Sequence, residues 1–188
     1  MPCNNKRGFT IVELMIAMVV FGMASLMTTA IVIGMSRQYQ KGTYTAQLND
    51  ASRSVHQDIR DAIAYSKSYD TLKTDSGVSF FCAGSTMYYW PVTSPGTPKN
   101  GLFKRALSGL PCTRDNAQVG VNLLPRNGFV QNFSINLGAG GLYTITTNFA
   151  VGTNDMFTDT NYTECLPTLR GGDFCSIVNY TSNVKSRL

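Results

Sequence analysis

Residues 9–35 read FTIVELMIAMVVFGMASLMTTAIVIGM, a run of 27 residues in which Glu13 is the only charged side chain. The run is long enough to span a bilayer, because about 20 helical residues cross the hydrocarbon core. A carboxylate near its start is costly at membrane depth, so Glu13 is a functional candidate that requires a partner. The stretch therefore predicts a membrane-spanning helix with one site for a specific polar contact.

Two ordinary explanations of this stretch fit it poorly. A secretory signal peptide has an apolar stretch of about 7–15 residues and a cleavage site after small residues. The run here is longer, and no clear site of that kind follows it. A plain single-pass anchor fits the length but does not account for Glu13 or for the preceding Lys6-Arg7-Gly8.

The segment KRGFTIVELMIAM at residues 6–18 resembles the N-terminal signal of type IV pilins and type II secretion pseudopilins. It has a basic leader, a glycine, an aromatic residue and a glutamate at the fifth position after the glycine. The resemblance implies that a prepilin peptidase cleaves between Gly8 and Phe9 and methylates the new amine of Phe9. Glu13 lies one helical turn from the Phe9 amine, so a pairing within the chain is possible. The resemblance implies that Glu13 instead meets the N-terminal amine of a neighbouring subunit and acts as a register device in assembly.

The helix is expected to continue beyond the apolar run. Apolar residues recur at spacings of three and four, which marks one face of a helix ending near residue 65: Leu48, Ala51, Val55, Ile59, Ala62 and Ile63. We therefore predict four parts: a cleaved leader at 1–8, a transmembrane and fibre-core helix at 9–35, the amphipathic half of the same helix at 36–65, and a globular β-rich head at 66–188.

The head is predicted to be antiparallel. Residues 66–77 are polar and typical of a turn, residues 93–98 of a loop and residues 138–141 of a hairpin turn. Strands are predicted at 78–82, 87–92, 101–107, 129–137, 142–151 and 174–184. The expected fold class is α+β, a long N-terminal helix packed on an antiparallel β-sheet head as in pilins.

Five cysteines are present, and Cys3 leaves with the leader. The other four form an even set in a domain expected outside the cytoplasm, which favours disulfides: Cys82, Cys112, Cys165 and Cys175. Three connectivities are possible, and we prefer Cys82–Cys112 with Cys165–Cys175 because both close local loops. The spacings are wide and only one histidine is present, so we expect no metal site among them.

Other candidate sites are weaker. The single histidine, His56, has no evident catalytic partner and is expected to be a solvated or interface side chain. Asp155 and Asp159, with Asn154, Asn161 and Asp173 nearby, offer oxygen ligands for Ca²⁺, but their spacing is not that of an EF-hand and we favour a solvated turn. No catalytic sequence motif is present, so we expect no enzyme activity and no cofactor.

A basic stretch near the middle of the chain raises the alternative of nucleic-acid binding. Its cations, opposed only by Asp115, are Lys99, Lys104, Arg105, Arg114 and Arg126. Aromatic residues at 88–90 offer stacking surfaces for a single strand, although strand aromatics ordinarily pack in a sheet core, which we favour. The net charge of +5, or +3 without Lys6 and Arg7, compels no such partner.

Three triplets match the N-glycosylation pattern, beginning at Asn132, Asn161 and Asn179. Because the N-terminal signal implies a prokaryotic chain, we treat them as coincidence.

The sequence thus indicates a minor pilin-like structural subunit, assembled through its N-terminal helix into a type IV pilus, with a role at initiation or at the tip. The tail, with Cys165 followed by residues 171–175, resembles the ends of PilW-like minor pilins. Residues 128–135, ahead of a glycine turn, resemble both these pilins and J-type minor pseudopilins. The alternatives are a minor pseudopilin of a type II secretion system and a pilin that binds DNA or a surface. The expected partners are other pilin subunits, the prepilin peptidase, the inner-membrane assembly platform and membrane lipid. The expected location is the inner membrane, with an extracytoplasmic head, and then the fibre.

Overall fold

The computed structural model describes residues 9–66, 69–92, 100–117, 120–167, 174–185 and 187. The predicted leader at 1–8 and the predicted loop at 93–98 lie outside these residues. The chain divides into two compact units, Met1–Tyr39 and Gln40–Leu188. It is α+β, as predicted, with one long N-terminal helix followed by antiparallel sheets.

The helix α1 runs from Ile11–Tyr65, and its sequence explains its length. No proline lies between Pro2 and Pro91, so nothing removes a backbone donor from its interior. In the first unit, none of residues 9–39 is buried. In the second unit, the helix buries a face that carries Leu48, Val55, Ile59 and Ile63, which the spacing predicted.

The described residues of the head form two antiparallel sheets rather than the single sheet expected. The first has five strands in sequential order: β1 Tyr69–Asp75, β2 Val78–Ala83, β3 Thr86–Pro91, β4 Phe103–Ala106 and β5 Val121–Asn122. The second has three strands: β6 Gly128–Leu137, β7 Leu142–Val151 and β8 Ser176–Lys185. Each strand within a sheet pairs with its neighbour in sequence, so both sheets are meanders.

The prediction of a turn over residues 66–77 was wrong, because β1 occupies most of it. Among the described strands, β1 pairs with β2 alone and so lies at the edge of the sheet. Edge strands commonly carry charged and polar side chains, which discourage pairing with another chain. The pairing of β1 is irregular between Asp70 and Lys73, whose side chains form an ion pair at 3.0 Å. The true turn is Ser76-Gly77, where both residues have positive φ, as a two-residue hairpin turn of type I′ requires.

The main core joins the helix face to both sheets. Phe81 of β2 lies near its centre and is fully buried. Its ring stacks on Tyr88 at 5.0 Å and on Phe133 of the second sheet at 5.2 Å, measured between ring centroids. Trp90 packs edge-on against Phe81, at 6.3 Å. Aromatic side chains therefore connect the two sheets, and Trp90, the only tryptophan in the chain, is a natural probe of their packing.

The last turn of the helix is completed by the end of the chain. The backbone N–H of Arg187 donates to the carbonyl of Ala64 at 2.9 Å, which satisfies one of the carbonyls that a helix leaves unpaired at its C-terminus. The Arg187 guanidinium donates to the Tyr65 hydroxyl at 3.0 Å. A cation at this end also interacts favourably with the helix dipole.

Candidate functional site

The first turn of α1 is held by a reciprocal pair of hydrogen bonds between Thr10 and Glu13. The Glu13 N–H donates to the Thr10 hydroxyl oxygen at 3.3 Å, and the Thr10 N–H donates to Glu13 Oε2 at 3.0 Å. The Thr10 hydroxyl also donates to Glu13 Oε2 at 2.9 Å. This is a capping box, in which a threonine before the helix and a glutamate three residues later satisfy two free backbone donors.

The capping box leaves Glu13 available for a further contact. Of the three hydrogen bonds with Thr10, two are accepted by Oε2 of Glu13 and one is donated by the Glu13 backbone N–H. The other carboxylate oxygen, Oε1, accepts no hydrogen bond from the described residues. The side chain is exposed, as is Phe9 immediately before the helix, which is 83 % exposed. The arrangement holds the carboxylate in the first turn through Oε2 and leaves Oε1 able to accept a further hydrogen bond.

The helix that follows this site presents an apolar surface on every side. Ile11, Phe21, Leu26 and Met35 are each at least 60 % exposed, although they lie on different faces. A helix that is apolar all round is stable only when lipid or other protein covers it. By length and composition, α1 is the one helix among the described residues that is able to cross a membrane.

A family model described as the prokaryotic N-terminal methylation motif matches residues 3–29. The chain carries this motif. The match supports the type IV pilin and pseudopilin family, as the resemblance of residues 6–18 indicated. No curated protein and no solved structure matches the chain significantly.

The methylation motif agrees with the apolar helix and the disulfides of the head, and it gives a coarse function. It supports a type IV pilin-like or pseudopilin subunit, in a family that is structural rather than enzymatic. It implies processing by a prepilin peptidase and assembly with other pilin subunits. With the apolar helix, it fits a protein that is anchored in the inner membrane before it enters a fibre.

Sequence reasoning singled out Phe9 and Glu13 but missed Thr10. The signal was present, since Thr10-Ile11-Val12-Glu13 has the threonine-to-glutamate spacing of a capping box ahead of an apolar run. Gly8, on the other side of the predicted cleavage site, lies outside the described residues. The structure therefore describes the Phe9 and Glu13 side of this candidate site.

The four cysteines of the head form two disulfides, Cys82–Cys112 and Cys165–Cys175, which is the connectivity that we preferred. Their Cα atoms are 6.1 and 5.7 Å apart. The first ties β2 to the segment after β4. The second holds the segment 152–166 close to the start of β8, where Phe129 and Tyr162 pack in a separate small core.

His56 was expected to be a solvated or interface side chain, but the structure buries it within the head, between α1 and the second sheet. It is only 8 % exposed. Its Nδ1 lies 3.1 Å from the Thr147 hydroxyl, and its Nε2 lies 2.7 Å from the Ser182 hydroxyl. A neutral ring satisfies both hydroxyls, because one nitrogen donates and the other accepts. His56 therefore positions the helix on β7 and β8.

Folding stability is expected to fall as the pH is lowered through the range just below 6.5. Burial, and then the charge of Arg60, lowers the pKa of His56 in the folded chain, whereas unfolded histidine titrates near 6.5. Between the lowered pKa and 6.5, the unfolded chain binds more protons, so stability is complete above this range and declines within it. Urea unfolding at a series of pH values, monitored by Trp90 fluorescence, measures how the free energy of unfolding changes with pH.

The matched control for this pH dependence is His56→Gln. Glutamine keeps a donor and an acceptor but does not titrate, and the chain has no other histidine. The decline just below pH 6.5 should be absent in this variant, and an equal decline in both proteins would contradict the assignment to His56.

A second polar contact joins the helix to the first sheet. Lys104 Nζ lies 2.7 and 2.8 Å from the two carboxylate oxygens of Asp58, and the Tyr88 hydroxyl donates to the same carboxylate at 2.8 Å. Burial, and then the neighbouring Asp58, raises the pKa of Tyr88. Lys104 is thus engaged within the head.

The positions of Arg105 and of the aromatic side chains do not favour the basic stretch as a nucleic-acid surface. The Arg105 guanidinium donates to the carbonyl of Asn116. Tyr88, Tyr89 and Trp90 are at most 6 % exposed, so their rings are packed in the sheet, as the simpler interpretation predicted. Lys99 lies outside the described residues.

The acidic segment after β7 forms a hydrogen-bonded turn. Asp159 accepts from the backbone N–H of Thr163 at 2.9 Å and from its hydroxyl, and these bonds lower the pKa of Asp159. Asp155 accepts from the hydroxyl of Thr153. Among the described residues, no three histidine, cysteine, aspartate or glutamate side chains are grouped so as to hold a metal ion. Asp173, another of the candidate ligands, lies outside them.

Proposed function

We propose that the protein is a minor subunit of a type IV pilus, cleaved between Gly8 and Phe9, methylated on Phe9 and assembled through residues 9–35. A role at initiation or at the tip, with contact to the inner-membrane assembly platform, belongs to the same proposal. The alternative is a minor pseudopilin of a type II secretion system, for which the N-terminal segment has the same use.

The observation that carries the proposal is the Glu13 carboxylate, fixed by Thr10 in the first turn of an otherwise apolar helix. A charge in that position costs free energy in lipid or in a fibre core unless a cation meets it. Cleavage before Phe9 creates a cation one turn away on each subunit. The resemblance to pilins implies that the partner is the amine of a neighbouring subunit rather than that of the same chain. A mismatched docking would then leave both charges unpaired.

Replacing Gly8 by leucine should block maturation. A glycine lets the backbone enter a protease cleft without a Cβ, and a branched side chain would obstruct that approach. We expect the variant to remain in the membrane at its precursor mass, with at least a tenfold lower yield of the mature chain, on the order of 1.4 kcal/mol or more in barrier. Intact-mass spectrometry of the membrane fraction distinguishes precursor, cleaved chain and methylated chain.

Gly22→Leu is the matched control for this experiment, because it introduces the same side chain in the helix where nothing lies within 4 Å of the position of a Cβ. It should be cleaved and methylated normally. A mature chain that starts at methylated Phe9 in the Gly8→Leu variant would show that cleavage does not require glycine at position 8, and it would contradict the proposed processing signal.

A further inference from the structure

The outer face of the second sheet, opposite the helix, carries a regular array of uncharged polar side chains. Side chains alternate between the faces of a strand, so every second residue of β6, β7 and β8 shares this face. Nine residues form this surface, which we call the polar face: Asn132, Ser134, Asn136, Thr144, Thr146, Asn148, Asn179, Thr181 and Asn183. Each has an amide or a hydroxyl group, and each is exposed or half-buried.

The strand register aligns these residues in three rows. Thr146 forms the centre, opposite Ser134 on one side and Thr181 on the other. The rows on either side begin with Asn132 and Asn136, each aligned with one residue of β7 and one of β8. The irregularity in β6 lies between Val130 and Asn132, so the pairing across the array itself is regular.

Cross-strand hydrogen bonds order parts of the array. The Thr144 hydroxyl donates to Asn183 Oδ1 at 2.8 Å, and the Thr181 hydroxyl lies 3.5 Å from that of Thr146. Neighbouring strands lie about 4.8 Å apart, and residues that share a face of one strand lie about 6.7 Å apart. The polar face is thus a grid of donors and acceptors at fixed spacings.

Coverage explains why only part of the outer face is polar. At one end of the sheet the same face continues as Phe129, Ala150 and Ile177, which pack beneath Phe157 and Tyr162. The Gln131 amide donates to the carbonyl of Tyr162 at 2.8 Å and helps to hold that segment in place. The outer face of the sheet is therefore apolar where the segment 152–166 covers it and polar where that segment does not reach.

The polar face also explains two of the three glycosylation-like triplets. Asn132 with Ser134, and Asn179 with Thr181, are pairs two residues apart on one face of a strand. The alternation of an exposed strand generates the triplet pattern, so these matches reflect the array.

The absence of charge restricts what the array is suited to bind. Lys185, at the end of β8, is the one charged residue in the three strands. Solvent-facing surfaces ordinarily mix charges of both signs, and a polyanion would require lysine or arginine at the contact. The nine side chains include no aromatic or aliphatic residue, so an apolar partner is equally unsuited. A neutral partner that both donates and accepts hydrogen bonds matches the surface in charge and in chemistry.

We propose that the polar face binds a neutral, hydroxyl-rich polysaccharide. Hydroxyl groups that repeat along a sugar chain pair with amides and hydroxyls that repeat across the strands, and no ionic contact is involved. This function is additional to assembly into a fibre, and it does not depend on the proposed cleavage or on Glu13.

The test uses the full-length chain in lipid nanodiscs without sugar headgroups, because glycoside detergents would compete for the site. Binding is titrated against cellohexaose, xylohexaose, mannohexaose and chitohexaose, with alginate and double-stranded DNA as anionic comparisons. We expect binding to at least one neutral oligosaccharide that is unchanged between about 0.1 and about 0.5 M NaCl, since no charge contributes.

The double variant Thr146→Val, Thr181→Val removes two central hydroxyls and keeps the β-branched shape that strands favour. It should weaken binding by about tenfold or more, because each lost hydroxyl removes a hydrogen bond to the sugar. Asn179→Ala, at an exposed position of β8, should also weaken it. Thr71→Val is the matched control, because Thr71 is an exposed threonine in β1 of the other sheet. Trp90 fluorescence verifies that each variant is folded.

Several outcomes would overturn the proposal. These are no binding to any of the four neutral sugars, binding confined to the anionic polymers at low salt, or equal weakening by Thr71→Val. Self-association of the chain that the double valine variant abolishes would instead assign the polar face to contact between copies. Normal maturation and fibre entry of that variant alongside lost sugar binding would separate this function from assembly.

Discussion

Replacing Glu13 by valine is expected to leave membrane insertion and cleavage intact and to reduce incorporation into a fibre by at least about a hundredfold. In the proposed fibre, the Glu13 carboxylate meets the amine on Phe9 of a neighbouring subunit. Removing one partner of a buried ion pair leaves the other charge uncompensated and costs about 3–5 kcal/mol, which corresponds to at least a hundredfold in an equilibrium constant. The measurement compares the mature chain in sheared fibres with that in membranes.

Two further variants separate the charge of Glu13 from its part in the capping box. Glu13→Gln keeps an oxygen that accepts from the Thr10 N–H but removes the charge. Thr10→Val removes the hydroxyl that caps Glu13 and leaves the charge in place. If the charge sets the register, Glu13→Gln should reduce incorporation into the fibre nearly as much as Glu13→Val does. Thr10→Val should lose only the cap, which contributes about 1 kcal/mol to the stability of the helix.

The opposite pattern would assign Glu13 a different role. Wild-type incorporation of Glu13→Gln would show that hydrogen bonding to Thr10 is sufficient, and the proposed ion pair would then be wrong. Because all three variants retain the apolar helix, their membrane fractions provide the internal reference for expression and insertion.

The N-terminal helix was predictable from sequence because a single strong pattern specifies it. Residues 9–35 are predominantly apolar, with Glu13 as the only charged side chain, and the next apolar residues recur at helical spacing up to Ile63. The polar members of the buried face were harder to predict, since hydrophobic periodicity gives no signal for them. His56 lies on that face only because Thr147 and Ser182, far along the chain, provide partners for its two ring nitrogens.

The head was predictable strand by strand, but its division into two sheets was not. The segment 142–151 alternates cleanly and forms β7 at those bounds. β1 is polar because it lies at an edge, and β5 contains only Val121 and Asn122, too few residues to show a period. Pairing between strands is a tertiary property, so the polar face became visible only when the register placed Thr146 between Ser134 and Thr181.

Replacing Phe81 by alanine should cost about 3–5 kcal/mol in the free energy of unfolding, the range for a buried aromatic side chain. Phe81 is fully buried and lies in the core where the two sheets meet. Its ring contacts Tyr88 and Trp90 within its own sheet and Phe133 in the other sheet, at centroid distances of 5.0 to 6.3 Å. A native domain is stable by only about 5–15 kcal/mol, so this one change removes a large share of the head's stability.

The matched control for Phe81 is Phe103→Ala. Phe103 is only half-buried and stacks on Tyr89 at 5.3 Å, away from the junction of the sheets. Phe103→Ala should therefore lower the free energy of unfolding by less than Phe81→Ala, because less apolar area returns to water. Urea unfolding followed by far-UV circular dichroism gives both values, and a double-mutant cycle of Phe81→Ala with Phe133→Ala isolates the contact between the sheets. That coupling should be about 0.5–1.5 kcal/mol, as for other aromatic pairs. A coupling of zero would mean that the contact between Phe81 and Phe133 does not stabilise the head, and it would leave Trp90, at 4.8 Å from Phe133, as an aromatic contact between the sheets.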